Sequence, residues 1–188
     1  DYDLVFFACP NGTVMKAYSD FKDEEVKIID LAADFRLDDE KIWREYYGEK
    51  HICPNLLSKT VYGLTELNRE KIRDATIVAN PGCYPTSSIL ALLPLCELLD
   101  EQKIIIDAKS GISGAGRNLN NKKLFPEGED NFQAYAVGKH RHYPEILQIL
   151  NLYNSKLDVI FVPHLSSMIR GIFSTHYLKL DNNNTSTL

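Results

Sequence analysis

A single cysteine, with a turn before it and a helix after it, is the residue in this chain best placed to do chemistry. In Asn80-Pro81-Gly82-Cys83-Tyr84-Pro85-Thr86, Asn-Pro-Gly is a strong turn signal, and Ser87 through Leu99 is apolar nearly all round, as in a helix buried inside a domain. Cys83 therefore falls where a helix begins. Unpaired backbone N–H groups and the positive end of the helix dipole favour a thiolate there, and such sites bring a cysteine pKa from about 8.5 down to roughly 3.5–7.5. A thiolate of that kind is a nucleophile. The alternative is a small buried filler, the common fate of a free cysteine.

A second cluster, His140-Arg141-His142-Tyr143-Pro144-Glu145, supplies two imidazoles. In an extended segment they share a face, and either could act as a general base for a thiol. With His164 they also offer three nitrogens to a metal, although the usual supporting Cys or carboxylate spacing is missing. Glu145, in a first helical turn, has a plain alternative of its own, since the helix dipole stabilises a carboxylate there without any catalytic role. A third segment, Gly111-Ile112-Ser113-Gly114-Ala115-Gly116-Arg117, has enough glycine to bring backbone N–H groups against an anion, and Arg117 could pair with a phosphate or carboxylate; a flexible turn explains the same residues. His164 and Arg170, in Val162 through Gly171, could face a ligand, or His164 could be a satisfied core residue.

The elements that must position these residues read as α/β. Leu4-Val5-Phe6-Phe7-Ala8 is a continuous apolar run, expected to be a buried strand, ending at the turn Pro10-Asn11-Gly12. A helix over about Thr13 to Phe21 and a strand over Val26 to Leu31 follow, which suggests a parallel sheet with ligands at the carboxyl ends of its strands, where Ala33-Asp34-Phe35-Arg36 lies. Asp38-Asp39-Glu40 opens a helix running to about Tyr47. Residues 48 to 65 read as a long surface loop, Glu66 to Arg73 as a short helix, and Thr76 to Ala79 as the strand before Cys83. Beyond the cysteine helix come a strand at Lys103 to Ala108, an exposed loop at 118 to 130, a strand at Phe132 to Val137, a helix at Pro144 to Tyr153, and strands at Leu157 to Val162 and Gly171 to Leu180, before a polar tail.

The chain has 188 residues, 44% hydrophobic and 25% charged, enough for one domain or a little more with a real core. Its net charge of -5, from 26 acidic and 21 basic residues, argues against nucleic acid or an anionic membrane as partner. The longest apolar stretch, Ile89 to Leu99, is interrupted by Pro94 and Glu97 and is too short to span a bilayer. The opening Asp1-Tyr2-Asp3 carries no signal peptide and reads as internal. Four cysteines at 9, 53, 83 and 96 lack any C-x-x-C spacing. Cys83 and Cys96 are expected on one helix roughly 20 Å apart, too far to bridge, so a reducing, cytoplasmic setting fits.

Taken together, the segments around Cys83, Gly111, His140 and His164-Leu165, with Asp30-Leu31-Ala32-Ala33-Asp34-Phe35-Arg36-Leu37 and Tyr62-Gly63-Leu64-Thr65-Glu66-Leu67, resemble in this order the N-acetyl-gamma-glutamyl-phosphate reductases of arginine biosynthesis. The likeness covers residues 1 to 180, with Ala32 and Thr65 where many members have Ser and Pro. It implies the remainder of a Rossmann-like parallel sheet over residues 1–81, without its first glycine-rich βα unit, then an α+β semialdehyde-dehydrogenase-type catalytic and dimerisation domain over 82–180 and a polar tail over 181–188. It also implies NADPH as cofactor, a small acyl phosphate as substrate, and a homo-oligomer associating through the strands between Phe161 and Tyr177. By the same resemblance, Cys83 attacks the acyl phosphate and forms a thioester, while His140 takes the thiol proton and later serves as acid or base. Arg36 and His142 hold substrate, Glu145 orients His142, and Pro10, Ser113 and Gly114 meet the cofactor. Three other readings remain: an aspartate-semialdehyde dehydrogenase, a reductase of carrier-linked aminoadipyl phosphate, and a non-catalytic assembly or binding module.

Overall fold

The computed structural model describes residues 2–21, 26–99, 103–116 and 131–179. The chain divides into two compact units, Asp1–Gly82 and Cys83–Leu188.

The first unit is built on a four-stranded parallel sheet. Its strands are β1 (Leu4–Phe7), β2 (Lys27–Asp30), β3 (Val61–Tyr62) and β4 (Ile77–Ala79), in the order β1-β2-β4-β3. Helices α1 (Thr13–Phe21), α2 (Glu40–Tyr47) and α3 (Thr65–Asp74) connect them. Val14 and Met15 of α1, Ile28, Ile77 and Ala79 of the sheet, and Trp43 of α2 form one buried cluster. The sequence ends α2 sharply at both ends: the Asp39 carboxylate accepts from the N–H of Lys41, and Gly48, at φ 77°, closes the helix by donating to the Arg44 carbonyl.

Two expectations for this unit need correction. β1 is an edge strand in the described sheet and alternates, with Leu4 42% and Phe6 59% exposed, so its unbroken apolar run does not bury both faces. Residues 48 to 65 are not a surface loop. Leu56 and Leu57 are buried in a 3-10 helix, Pro54–Lys59; Val61 and Tyr62 join the sheet as β3; and His51 is buried between the rings of Phe35 and Trp43. The polar punctuation of this segment concealed apolar anchors spaced too irregularly to show a period.

The second unit carries a mixed sheet of β5 (Lys103–Ser110), β6 (Phe132–Ala134), β7 (Asp158–Ser166) and β8 (Ile172–Tyr177), ordered β6-β7-β5-β8. β5 and β7 are parallel; β8 and β6 flank them antiparallel. Ile104, Ile106 and Ala108 alternate along β5 with Val159 and Phe161 opposite on β7, and this face packs with Leu92, Ile146 and Leu150 of the helices α4 (Cys83–Leu92) and α5 (His142–Asn151). The helix opened by Cys83 is shorter than expected. Pro94 lacks the N–H that an α-helix needs, and the chain tightens into a 3-10 helix over Leu93–Leu98, so Cys96 does not share the α-helix of Cys83. β7 is longer than expected: pairing with Ser110 on one side and Phe132 on the other carries it past Pro163 to Ser166, which puts His164 inside a strand. The expected loop at 118 to 130, Arg117 and the polar tail lie outside the described residues.

Candidate active site

Cys83 is the first residue of α4 and is exposed. The next residue, Tyr84, is buried and anchors that end of the helix: its hydroxyl donates to the carbonyl of His164 in β7 at 3.1 Å and accepts from the hydroxyl of Tyr135 at 3.2 Å. Burial raises both phenols above the ordinary tyrosine pKa, and the charge of Cys83 raises each further. The thiol and the two hydroxyls thus share one electrostatic neighbourhood.

His140 lies in the same neighbourhood. Its ring meets Tyr84, Tyr135 and Phe161 edge-on, with centroids 5.4 Å away in each case, and that of His142 at 4.9 Å. The segment is not extended, as the shared-face expectation required. His140 sits in a turn, where its Nδ1 accepts the backbone N–H of His142 at 3.1 Å, and His142 is the first residue of α5. Burial first, and the Arg141 charge second, push the His140 imidazole down to a pKa of about 4. Glu145 is buried in the first turn of α5, three residues after His142 and so on the same helical face.

His164 belongs elsewhere. Its Nδ1 lies 3.2 Å from Asp107 Oδ1, Lys109 Nζ lies 2.5 Å from the other oxygen of that carboxylate, and Phe132 stacks on the imidazole. Phe161, which touches His140, points to the opposite face of β7. The three histidines therefore do not converge, and among the described residues no group of three His, Cys, Asp or Glu side chains could hold a metal ion.

In the first unit Arg36 is buried at the carboxyl ends of β2 and β4, where it donates from Nε to the Asn80 carbonyl (2.7 Å) and from a terminal nitrogen to that of Leu31 (3.1 Å). Asp30 accepts from the N–H groups of Ala32 and Asp34. Burial, then the charge of Asp34, raise Asp30 to a pKa of about 6, against the opposing pull of those N–H groups and of Arg36. Asp34 accepts from the N–H groups of Gly12 (2.6 Å) and Met15 (3.1 Å), so the start of α1 already holds a carboxylate. Pro10 is exposed beside it.

The glycine segment after β5 forms no anion cradle. Gly111, Ile112 and Ser113 donate their N–H groups to the carbonyls of Gly171, Met168 and Ile169, while Gly114 and Gly116 donate within the turn itself. Its glycine serves close backbone approach, since a Cβ on Gly111 would lie 2.7 Å from Arg170 N and 2.8 Å from Met168 O. Ser113 and Gly114 are nevertheless exposed on this 3-10 turn, Ile112–Ala115. The N–H groups of Ser113 and Gly114, like those of Gly12 and Met15 at the start of α1, are already bonded within the protein and are not left over for a phosphate.

Sequence reasoning did not single out Tyr84, Tyr135 or Asp34. Tyr84 carried a signal, an aromatic directly after the nucleophile; Asp34 and Tyr135 acquire their partners only in the fold.

Comparison with known proteins agrees along the chain. The family model described as the semialdehyde dehydrogenase NAD binding domain matches residues 1–75, and the dimerisation domain of the same family matches residues 83–187. An N-acetyl-gamma-glutamyl-phosphate reductase of Nitrosospira multiformis is 52% identical over 181 residues, covering 95% of this chain and 53% of that protein; one from Acinetobacter baumannii is 50% identical over 186 residues with the same shares. The chain thus spans about half the length of the curated relatives it matches. Among solved structures, an aspartate semialdehyde dehydrogenase II from Vibrio cholerae superposes with a TM-score of 0.67 at 15% identity, over 94% of this chain and 55% of that one. An aspartate semialdehyde dehydrogenase with NADP from Candida albicans superposes with a TM-score of 0.61 at 13% identity, over 96% and 51%. At such identities the superpositions speak for the fold alone, whereas the family models cover both units: the chain belongs to the semialdehyde dehydrogenase family.

Proposed function

We propose that this chain carries the thiol chemistry of an NADPH-dependent N-acetyl-gamma-glutamyl-phosphate reductase. The observation that carries the reading is the exposed Cys83 at the start of α4, with Tyr84 pinning that helix end and His140 boxed beside it. Relatives at 50–52% identity bear that name. In this reading the Cys83 thiolate attacks the γ-acyl carbon, the C–O bond to phosphate breaks, and a thioester remains. NADPH, when bound, supplies the hydride that takes the thioester to the aldehyde level. Cys83 then leaves as thiolate, releasing N-acetylglutamate γ-semialdehyde. Arg36 and His142 hold the substrate's anionic groups, Glu145 orients His142, and Pro10, Ser113 and Gly114 meet the reactive end of the cofactor.

The half-reaction that needs no cofactor is the test. The purified chain is mixed with N-acetylglutamyl phosphate, and released phosphate and the intact mass are followed. The reading expects one acyl group, located on Cys83 by peptide mapping and lost in Cys83→Ser. Acylation by aspartyl or carrier-linked aminoadipyl phosphate in its place would reassign the substrate, and none at all would leave an assembly module.

The same reading makes the outer face of the second sheet the place where a second copy binds. Ile105, Ile160, Phe173 and Tyr177 are 37–63% exposed there, on a unit matching a dimerisation domain. A soluble cytoplasmic homo-oligomer with no nucleic-acid or membrane partner completes the proposal; among the described residues no helix is long and apolar enough to cross a membrane.

A further inference from the structure

We propose that the Asp107–Lys109–His164 cluster keys the way two copies of this chain meet, each Lys109 facing an Asp107 of the other copy across the outer face of the second sheet. The inference rests on the association reading above, in which that face binds a second copy, and it is independent of the thiol chemistry.

The face changes character along its strands. Residues paired across a ladder point to the same side, so the register sets the face out in rows. Ile105 stands between Ile160 and Tyr177, Asp107 between Val162 and Thr175, and Lys109 between His164 and Phe173. An apolar row is thus followed by one centred on an anion and one centred on a cation. Phe132 stacks on His164 with ring centroids 5.0 Å apart, and the Phe173 ring centre lies 5.7 Å from Lys109 Nζ. Both phenylalanines are well exposed, whereas the Lys109, Asp107 and His164 side chains are only 17%, 27% and 17% exposed. The charges form the floor of a furrow with aromatic walls.

Within one copy these charges are already balanced. Lys109 Nζ lies against the Asp107 carboxylate and donates to the Asp107 carbonyl at 3.2 Å, while His164 Nδ1 lies 3.2 Å from the other carboxylate oxygen. What remains is a dipole directed along β5 from Asp107 to Lys109. Closed two-fold pairing uses one patch twice, so this dipole must meet its own copy. A two-fold axis along the strands would set the two dipoles parallel, with like charges facing. An axis across the strands reverses one dipole and places each Lys109 against the other copy's Asp107. Only the second arrangement avoids like-charge contact on a covered face, where repulsion is poorly screened.

The same reciprocity fixes the register. A slip of two residues, about 7 Å along a strand, brings Asp107 onto Asp107 or Lys109 onto Lys109. The slip that opposes the two Asp107 side chains also carries each Lys109 over Ile105, desolvated and without a counter-charge there. Apolar area thus supplies the attraction, and the cluster rejects the other ways of stacking two sheets.

The test is a charge swap in the full chain, read by sedimentation and native mass spectrometry. Asp107→Lys leaves two cations in each furrow and Lys109→Asp two anions, so each variant alone should lose at least about tenfold in dimer affinity through like-charge contact. Mixed in equal amounts, the two variants should restore a dimer containing one of each. The lysine placed at position 107 then faces the aspartate placed at position 109, and the unaltered Lys109 of one faces the unaltered Asp107 of the other. Wild-type affinity in either variant alone overturns the inference, as does a folded pair that forms no mixed dimer. Should a variant fail to fold, the neutral chain carrying both Asp107→Asn and Lys109→Met decides. Freed of the key, it should associate in several forms, and a single dimer as uniform as the wild type overturns the inference. A wild-type chain that stays monomeric removes the association reading itself, and this inference with it.

Discussion

At Cys83 the exposed thiol and the buried phenol of the next residue divide the work: one reacts and the other fixes where it stands. Tyr84 donates its hydroxyl to the His164 carbonyl and receives that of Tyr135, so removing one oxygen breaks two part-buried hydrogen bonds. Tyr84→Phe should therefore cost about 1–3 kcal/mol, more than the loss of one exposed bond. Urea unfolding would measure that, and Cys83 alkylation would show whether the helix start has loosened. Tyr135→Phe removes only a donor whose acceptor keeps its other bond, and should cost less; equal costs would contradict the chain of bonds described here. The cysteine itself was legible, because Asn-Pro-Gly and a following apolar run are local signals. Its supporting tyrosines were not. Their partners lie 80 and 51 residues away in sequence, and no local period encodes such a pairing.

Among the elements, the turn after β5 shows how a correct motif can carry a different physical purpose. Its glycines invited an anion, yet its N–H groups are bound by the carbonyls of Met168, Ile169 and Gly171, and Gly111 is small because a backbone passes against it. Gly111→Ala must push Arg170 and Met168 backbone aside. It should destabilise the second unit by about 1–3 kcal/mol, the usual cost of overpacking, and hydrogen exchange should quicken at Ile112 and Ser113. Gly116→Ala meets no atom within 4 Å, but Gly116 sits at φ 75°, so its cost should come from backbone strain alone, without faster exchange at those two amides. The regular elements were legible where one period ruled: α1, α2 and the strands β1, β2, β4 and β5 run close to where their patterns place them, whereas β3 lies in a segment that reads as loop. The misreadings share one cause, tertiary contacts overriding a local breaker or filler. Pairing carries β7 through Pro163, whereas Pro94 truly ends α4, and nothing local separates the two prolines.

For the molecule as a whole, the exposed apolar face of the second sheet and the buried charges of the two units give separate predictions. Phe173, 63% exposed with Lys109 Nζ 5.7 Å from its ring centre, lies on the proposed association face. Phe173→Glu should shift the chain toward monomer in sedimentation without unfolding it, whereas an unchanged assembly would move the interface off this sheet. The two units should also answer acid in opposite ways. Asp30, in the first unit, has its folded pKa raised from 3.8 to about 6 by burial and by Asp34. Its contribution is fully present below 3.8 and is lost as pH rises through 6, so acidification toward pH 4 favours the fold through this group. His140, in the second unit, is lowered from 6.5 to about 4 by burial and Arg141. Its contribution is present above 6.5 and is lost as pH falls through 4, so the same acidification works against the fold there; burial lowers His176 in the same direction. Native-state hydrogen exchange between pH 7 and 4, corrected for intrinsic rates, should therefore show protection falling in β5 and β7 relative to β2 and β4. Asp30→Asn should remove the gain in the first unit and His140→Gln most of the loss in the second. A parallel response of both sheets, unchanged by either substitution, would mean that neither buried group controls its unit's acid stability.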